Sequence, residues 1–159
     1  MIEETRFRQT MGHFATGVAV AATRLPDGSF VGLTCNSLAS VSLDPPLVLF
    51  CVDHQATSRA ALLESGAFSL SLLARDDEAL SRRFAAAVPD LRFEGLALRE
   101  AVTGSPILAS ALAWLDCSLW KTVEAGDHTV IFGRVEAGGF REDGDPLVYF
   151  RGRYGTLSP

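Results

Sequence analysis

Gly32-Leu33-Thr34-Cys35-Asn36-Ser37-Leu38-Ala39-Ser40-Val41-Ser42-Leu43-Asp44-Pro45-Pro46-Leu47-Val48 is the stretch on which the fold turns. It begins inside an extended run over residues 30–34 and passes a second over 38–43. It halts at Asp44-Pro45-Pro46, where two prolines cannot donate to a β-ladder. Residues 47–52 follow as a continuous apolar run bounded by turn signals, which reads as a buried strand.

Working outward, Pro26-Asp27-Gly28 is a turn that joins residues 30–34 to an earlier strand over 18–23. Before it, residues 2–16 read as a helix, with Phe7, Met11 and Phe14 at helical spacing and Gly17 as the stop. Downstream, a helix is expected over 57–65, with Leu62 and Leu63 on its buried side and Gly66 ending it. Residues 67–73 alternate apolar and serine side chains, as a strand does. A further helix over 76–87 is capped by Asp76 or Asp77 and ended by Pro89. Residues 91–107 are irregular, with short extended pieces near 96–99. Residues 112–123 and 129–137 form a hairpin across Gly126-Asp127. Gly138-Gly139 and Asp143-Gly144 read as turns, and 146–150 as a last strand. Seven or eight strands and three helices that do not alternate with them exclude a doubly wound α/β sheet. The fold class is mainly β, a β-barrel with attached helices.

A chain of 159 residues fits one domain over 1–159. With 48% hydrophobic and 21% charged residues, wholesale disorder is excluded. The net charge is −5 and Lys121 is the only lysine, so broad nucleic-acid binding is excluded as a function class. An anionic ligand would meet arginine, hydroxyls or backbone amides. Cys35, Cys51 and Cys117 lie far apart, with no Cys/His cluster of metal-ligand spacing, so no metal is expected. They read as reduced thiols of a cytoplasmic protein. The run over 47–52 is far below the ~20 residues of a membrane span, so no membrane partner is expected.

No nucleophile elbow, phosphate-binding glycine loop, HExxH or dinucleotide fingerprint is present. His13, His54 and His128 are far apart in sequence. Thr34, Asn36, Ser37, Ser40 and Ser42 sit amid apolar residues. If buried they need partners, which a ligand would supply; a solvated strand edge accounts for them as well. Thr57-Ser58 starts a helix, where free amides and the dipole suit phosphate, or where a hydroxyl simply caps. His128 follows Gly126-Asp127 in a hairpin turn and is either solvated or functional. Arg83-Phe84 and Tyr149-Phe150-Arg151 bring aromatics beside arginine, as core or as a cofactor platform.

Taken in this order, the segments resemble the short-chain flavin reductase family, the reductase components of two-component flavin-dependent monooxygenases. The likeness runs from about Phe7 to Tyr154. It is carried by Phe14-Ala15-Thr16-Gly17-Val18, by Gly32 to Ser42 with Asp44-Pro45-Pro46-Leu47-Val48, by Gly126-Asp127-His128-Thr129, and by Tyr149-Phe150-Arg151 with Tyr154. Cys35 stands where relatives often carry alanine or another small residue, so a thiol near the flavin would tune or sensitise it.

The resemblance implies an FMN-binding split β-barrel of Greek-key type. It also implies a homodimer with flavin near the interface, and reduction of FMN or FAD by NADH or NADPH. Reduced flavin would then pass to a partner monooxygenase. By the same resemblance, Thr34, Cys35, Asn36, Ser37, Ser40, Val41, Ser42, Thr57, Ser58, Arg83, Phe84, Asp127, His128, Phe150 and Tyr154 surround the cofactors. Amides around Asn36 and Ser37 would face the ring, and Ser40, Ser42, Thr57 and Ser58 would hold ribityl and phosphate oxygens. Arg83 would neutralise phosphate, and His128 with Asp127 would position the nicotinamide. Hydride passage between two cofactors obliges the protein to orient rather than to act as a base. The rival readings are a split-barrel flavin- or pyridoxal-phosphate-dependent oxidase, a non-catalytic flavin or haem carrier, and a structural barrel without ligand.

Overall fold

A computed structural model describes residues 1–86 and 88–157. The end of the helix expected over 76–87 and the last two residues of the expected 1–159 domain lie outside the described residues. In chain order the elements are α1 (Glu4–Met11), β1 (Thr16–Gly17), β2 (Ala19–Arg24), β3 (Phe30–Cys35), β4 (Ala39–Leu43), β5 (Pro46–Asp53) and α2 (Arg59–Glu64). There follow β6 (Ala67–Leu72), α3 (Glu78–Ala85), β7 (Leu98–Arg99), β8 (Ile107–Leu108), β9 (Ala113–Ala125), β10 (His128–Phe140), β11 (Val148–Phe150) and β12 (Arg153–Gly155).

Seven strands form one antiparallel sheet in the order β3-β2-β6-β9-β10-β5-β4. Its two ends come together, because Cys35 of β3 and Val48, Phe50 and Val52 of β5 pack into one core with Phe68, Leu70, Cys117 and Ile131. The sheet therefore curls into a split barrel, with α2 plugging it through the fully buried Leu62. Ser37 stitches the seam: its Oγ accepts the Cys51 N–H at 2.9 Å. A second core, of Val18, Val20, Leu73, Phe84, Leu108 and Leu147, lies on the other face of β2 and carries α3. A small sheet, β1-β11-β12, packs beside it.

Five expectations change. The helix over 2–16 is only α1, and it buries no residue; Phe7, Met11 and Phe14 stay about half exposed or more. Its apolar spacing is real, but none of the described residues covers that face. The strand over 47–52 buries only alternate residues, so its run of apolar side chains faces the core on one side only. The helix over 57–65 shortens to six residues. Gly138-Gly139 makes no turn, because β10 continues through it, pairing with Leu115 and Trp114. A Cβ on Gly139 would lie 2.8 Å from the Trp114 indole nitrogen, so glycine there serves close packing. β1 and β12 were not legible. β12 returns on β11 through Arg151 and Gly152, both at positive φ (50° and 75°). A two-residue turn of that kind matches strand twist, but arginine at its first position hides the signal.

Candidate functional site

Three clefts join around the end of β3. The smallest, about 180 Å³, is lined by Val18, Thr34, Cys35, Asn36, Tyr149 and Tyr154. It shares Val18 and Asn36 with an apolar cleft of about 370 Å³ whose walls include Phe14, Thr16, Leu38, Leu72, Leu73 and Leu147. On its other side it shares Tyr154 with an open groove of about 690 Å³ that holds Phe150, Arg151 and Arg153. Among the described residues no carboxylate lines any of the three, which suits an anionic ligand.

Hydrogen bonds fix this trough. Thr34 Oγ1 donates to the Ser81 carbonyl at 2.6 Å. The Ser81 hydroxyl, itself fully buried, meets the Tyr154 hydroxyl at 2.7 Å. Tyr154 packs edge-on to Tyr149 at 5.3 Å and lies under the Arg82 guanidinium at 4.9 Å. Asn36 Nδ2 donates to Thr16 Oγ1 at 3.2 Å, tying the β3 end to the Thr16-Gly17 segment. Burial, aided by nearby Cys51, pushes the Cys35 thiol up to about 12. Cys35 is thus a neutral thiol at ordinary pH and not a reactive thiolate.

The expected residues fall into three groups. Thr34, Cys35, Asn36, Phe150 and Tyr154 line the trough. Asp127 and His128 sit at the β9–β10 hairpin, where His128 pairs with Asp53 of β5. His128 lies two positions along β10 from Val130, which pairs with the Cys51 that Ser37 bridges. His128 Nδ1 and Asp127 Oδ1 are 2.7 Å apart, and this contact lowers the Asp127 pKa. Ser40, Val41 and Ser42 lie on β4, the sheet edge, where a bulge falls between Ser40 and Ser42.

Thr57, Ser58, Arg83 and Phe84 line none of the three clefts. Phe84 is a core side chain, fully buried and edge-on to Phe93 at 4.9 Å. Arg83 spends its guanidinium on the carbonyls of Leu91 and Glu94, holding the loop after α3. Its neighbour Arg82 is the one that reaches Tyr154. Thr57 is exposed, whereas Ser58 is buried and its Oγ finds no partner among the described residues.

Sequence reasoning missed a polar cluster beside His128. Glu124 meets His54 Nε2 at 2.7 Å and the Arg59 guanidinium at 3.0 Å, and it accepts from the Thr129 hydroxyl. Burial opposes its charge, but Thr129, Arg59 and His54 together hold its carboxyl below the usual range. The only sequence signal was Asp53-His54 at the end of an apolar strand. The pairing partners lie far along the chain.

Residues 11–158 match the family model described as flavin reductase like domain. The chain is 42% identical over 158 residues to the reductase subunit HsaB of a flavin-dependent monooxygenase from Rhodococcus jostii, covering 99% of this chain and 80% of that protein. It is 40% identical to a flavin reductase (NADH) from Kitasatospora aureofaciens, covering 97% of this chain and 82% of the relative. Among solved structures it is similar to an NADH:FAD oxidoreductase from Streptomyces globisporus in complex with NAD and FAD fragments. There the TM-score is 0.92 and the identity 32%, with 99% of this chain and 94% of that one covered.

Proposed function

The chain belongs to the flavin reductase family, and on that premise we propose that it transfers hydride from NADH or NADPH to FMN or FAD. The reduced flavin then serves a partner monooxygenase. The observation that carries this reading is the trough centred on Asn36, where an apolar cleft opens into a hydroxyl- and amide-lined one. Its donor set fits a flavin. Phe14, Leu38, Leu72 and Leu73 offer walls for a flat ring, Asn36 and Thr34 offer polar edges, and no carboxylate repels its phosphate.

When bound, the flavin supplies the hydride-accepting ring nitrogen. The chain's own part is positioning: two rings must approach to ~3–3.5 Å in a fixed orientation. Amides around Asn36 and Ser37 would offer donors to the charge that the ring gains, as those of an oxyanion hole do. His128 Nδ1 is anchored on Asp127 Oδ1 at 2.7 Å, which would leave His128 Nε2 to contact a nicotinamide carboxamide. Ser40, Ser42, Thr57 and Ser58 are assigned to ribityl and phosphate oxygens. Of these, Ser58 fits only if its buried hydroxyl is reached from inside the site. Arg83 is assigned to the phosphate charge; its Nε and Nη2 also hold the Leu91 and Glu94 carbonyls, while Arg82 beside it is paired with Glu78.

We further propose one domain over 1–159, acting as a homodimer. The outward faces of β5, β10 and β9 support this: Leu49 lies opposite Phe132, and Cys51 lies in a row with Val130 and Val123. Val123 is 39% and Trp120 52% exposed. An apolar face of this extent, with α1 uncovered as well, matches an interface above ~1,000 Å². Three free thiols support a cytoplasmic location, and no described helix is long and apolar enough to cross a membrane.

Steady-state NADH and NADPH oxidation with FMN, with FAD and without flavin tests the activity, with peroxide formed when no oxygenase is present. A carrier would bind flavin and leave both nucleotides unconsumed. Light scattering tests the assembly, and a mass near 17.0 kDa at micromolar concentration would exclude the dimer.

A further inference from the structure

Both chain neighbours of His128 are held from outside β10. On one side, the His54 N–H donates to the Asp127 carbonyl at 2.9 Å. On the other, Arg59 Nε donates to the Thr129 hydroxyl at 2.8 Å, and Thr129 is fully buried. The two anchors come from different elements, His54 from the turn after β5 and Arg59 from α2. One carboxylate joins them. Glu124 stands opposite Thr129 on β9. It lies 2.7 Å from His54 Nε2 and 3.0 Å from Arg59 Nη2, and it accepts from the Thr129 hydroxyl at 3.0 Å. The His54 and Arg59 pairs are partly exposed, and an isolated exposed pair contributes little to stability. Their convergence on one carboxylate does what a lone pair cannot. It fixes His54 and Arg59 relative to one another, and with them the backbone on either side of His128. The His128 ring has its own contact, Nδ1 to Asp127 Oδ1 at 2.7 Å, so Glu124 bears on the ring through the residues that flank it.

Resting on the reductase reading and on the place of His128 in it, we infer that Glu124 is a positioning residue for hydride transfer. By tying His54 to Arg59 it fixes the backbone that presents the His128 ring to the nicotinamide. Glu124 donates nothing to the reaction and takes no proton from it. Its part is geometric, and geometry is costly to lose: a misplacement of about an ångström from a change remote from the chemistry can slow a reaction roughly a hundredfold.

Two readouts on the full chain test this, one of them without any cofactor. The chain has three histidines, so the magnetic-resonance signals of isotope-labelled ring nitrogens are assigned by substitution. Glu124→Ala is expected to shift or broaden the His128 signals and to leave those of His13, whose ring meets Gln9 and Phe150 instead. In anaerobic stopped-flow reduction the same variant should lower the limiting rate at saturating NADH by roughly five- to hundredfold, with flavin affinity within about twofold of wild type. Glu124→Gln keeps the reach with one acceptor oxygen in place of two, so it should fall between Glu124→Ala and wild type in both readouts. It also carries the test if a melting curve shows Glu124→Ala unfolded. Because Glu124 acts through His128, adding Glu124→Ala to His128→Ala should slow the reaction no further. Glu142→Ala, which removes an exposed carboxylate from the turn before β11, should leave the rate within about twofold and controls for net charge. Unmoved His128 signals in a folded variant overturn the inference. So does a limiting rate within about twofold of wild type, or a double variant in which the two losses multiply. The reductase reading fails separately, through wild-type protein that reduces no flavin with NADH or NADPH, and the ring signals then still decide whether Glu124 anchors His128.

Discussion

Deleting one oxygen, in Tyr154→Phe, probes the joint between the fold and the candidate site. The Ser81 hydroxyl is fully buried, and the Tyr154 hydroxyl at 2.7 Å is its partner. Removing that partner leaves a buried hydroxyl unsatisfied, which costs roughly 1–3 kcal/mol. The aromatic contacts of Tyr154 with Tyr149 and Arg82 involve the ring and survive the change. For a chain of this size each kcal/mol lowers the melting temperature by ~2–4 °C, so the expected drop is ~2–12 °C. The companion Ser81→Ala removes the stranded group, and the double variant should be less destabilised than the sum of the singles. A coupling of roughly 0.5–3 kcal/mol is expected for residues in direct contact. Urea unfolding of the four proteins measures it. Additive losses, or a Tyr154→Phe change within about 0.5 kcal/mol of wild type, would refute the view that this hydroxyl pair holds the C-terminal hairpin to α3.

Gly133→Ala should destabilise by about 1–3 kcal/mol through overpacking, because a Cβ there falls 2.4 Å from Phe68 Cζ and 3.0 Å from Cys117 Cβ; adding Phe68→Leu should recover part of the loss in calorimetry. Glu124 has its carboxyl held below the usual range although burial opposes this, because Thr129, Arg59 and His54 favour the charged form. The stability from that lowering is therefore present above the unfolded pKa of ~4.3 and lost as pH falls through the folded value. In Glu124→Gln that part of the acid limb disappears, so unfolding midpoints of variant and wild type should differ near neutral pH and converge in acid. His128→Ala should slow hydride transfer roughly ten- to hundredfold, an orienting contact of ~1.4–2.7 kcal/mol, with flavin affinity nearly unchanged; stopped-flow reduction beside a flavin titration reads both.

Strands with an alternating or turn-bounded pattern were legible in the sequence, because burial on one face and Gly/Pro punctuation are local. Residues 18–23, 30–34 and 67–73 lie within one residue of β2, β3 and β6 at either end. The Gly138-Gly139 turn failed because the reason for those glycines, the Trp114 indole, is remote in sequence. α1 was overextended because Phe7, Met11 and Phe14 carry the spacing of a buried face that the chain itself leaves open. The resemblance assigns Thr34, Asn36 and Tyr154 to the cofactors, and the fold brings these three side chains to one cleft. Arg82 and Arg83 are adjacent and chemically identical. Only the fold decides that Arg83 clamps the 91–94 carbonyls while Arg82 turns to Tyr154. The Glu124, His54 and Arg59 cluster was illegible because its members come from β9, the turn after β5 and α2, which only the fold brings together.

The measurement that goes most directly to the central claim is anaerobic. NADH is mixed with FMN or FAD and a trace of the protein, and the flavin absorbance is followed against the same mixture without protein. The account predicts flavin bleaching in proportion to the protein added, with one NADH consumed per flavin reduced. Bleaching no faster than the protein-free mixture, with FMN and with FAD and with NADPH in place of NADH, would contradict it.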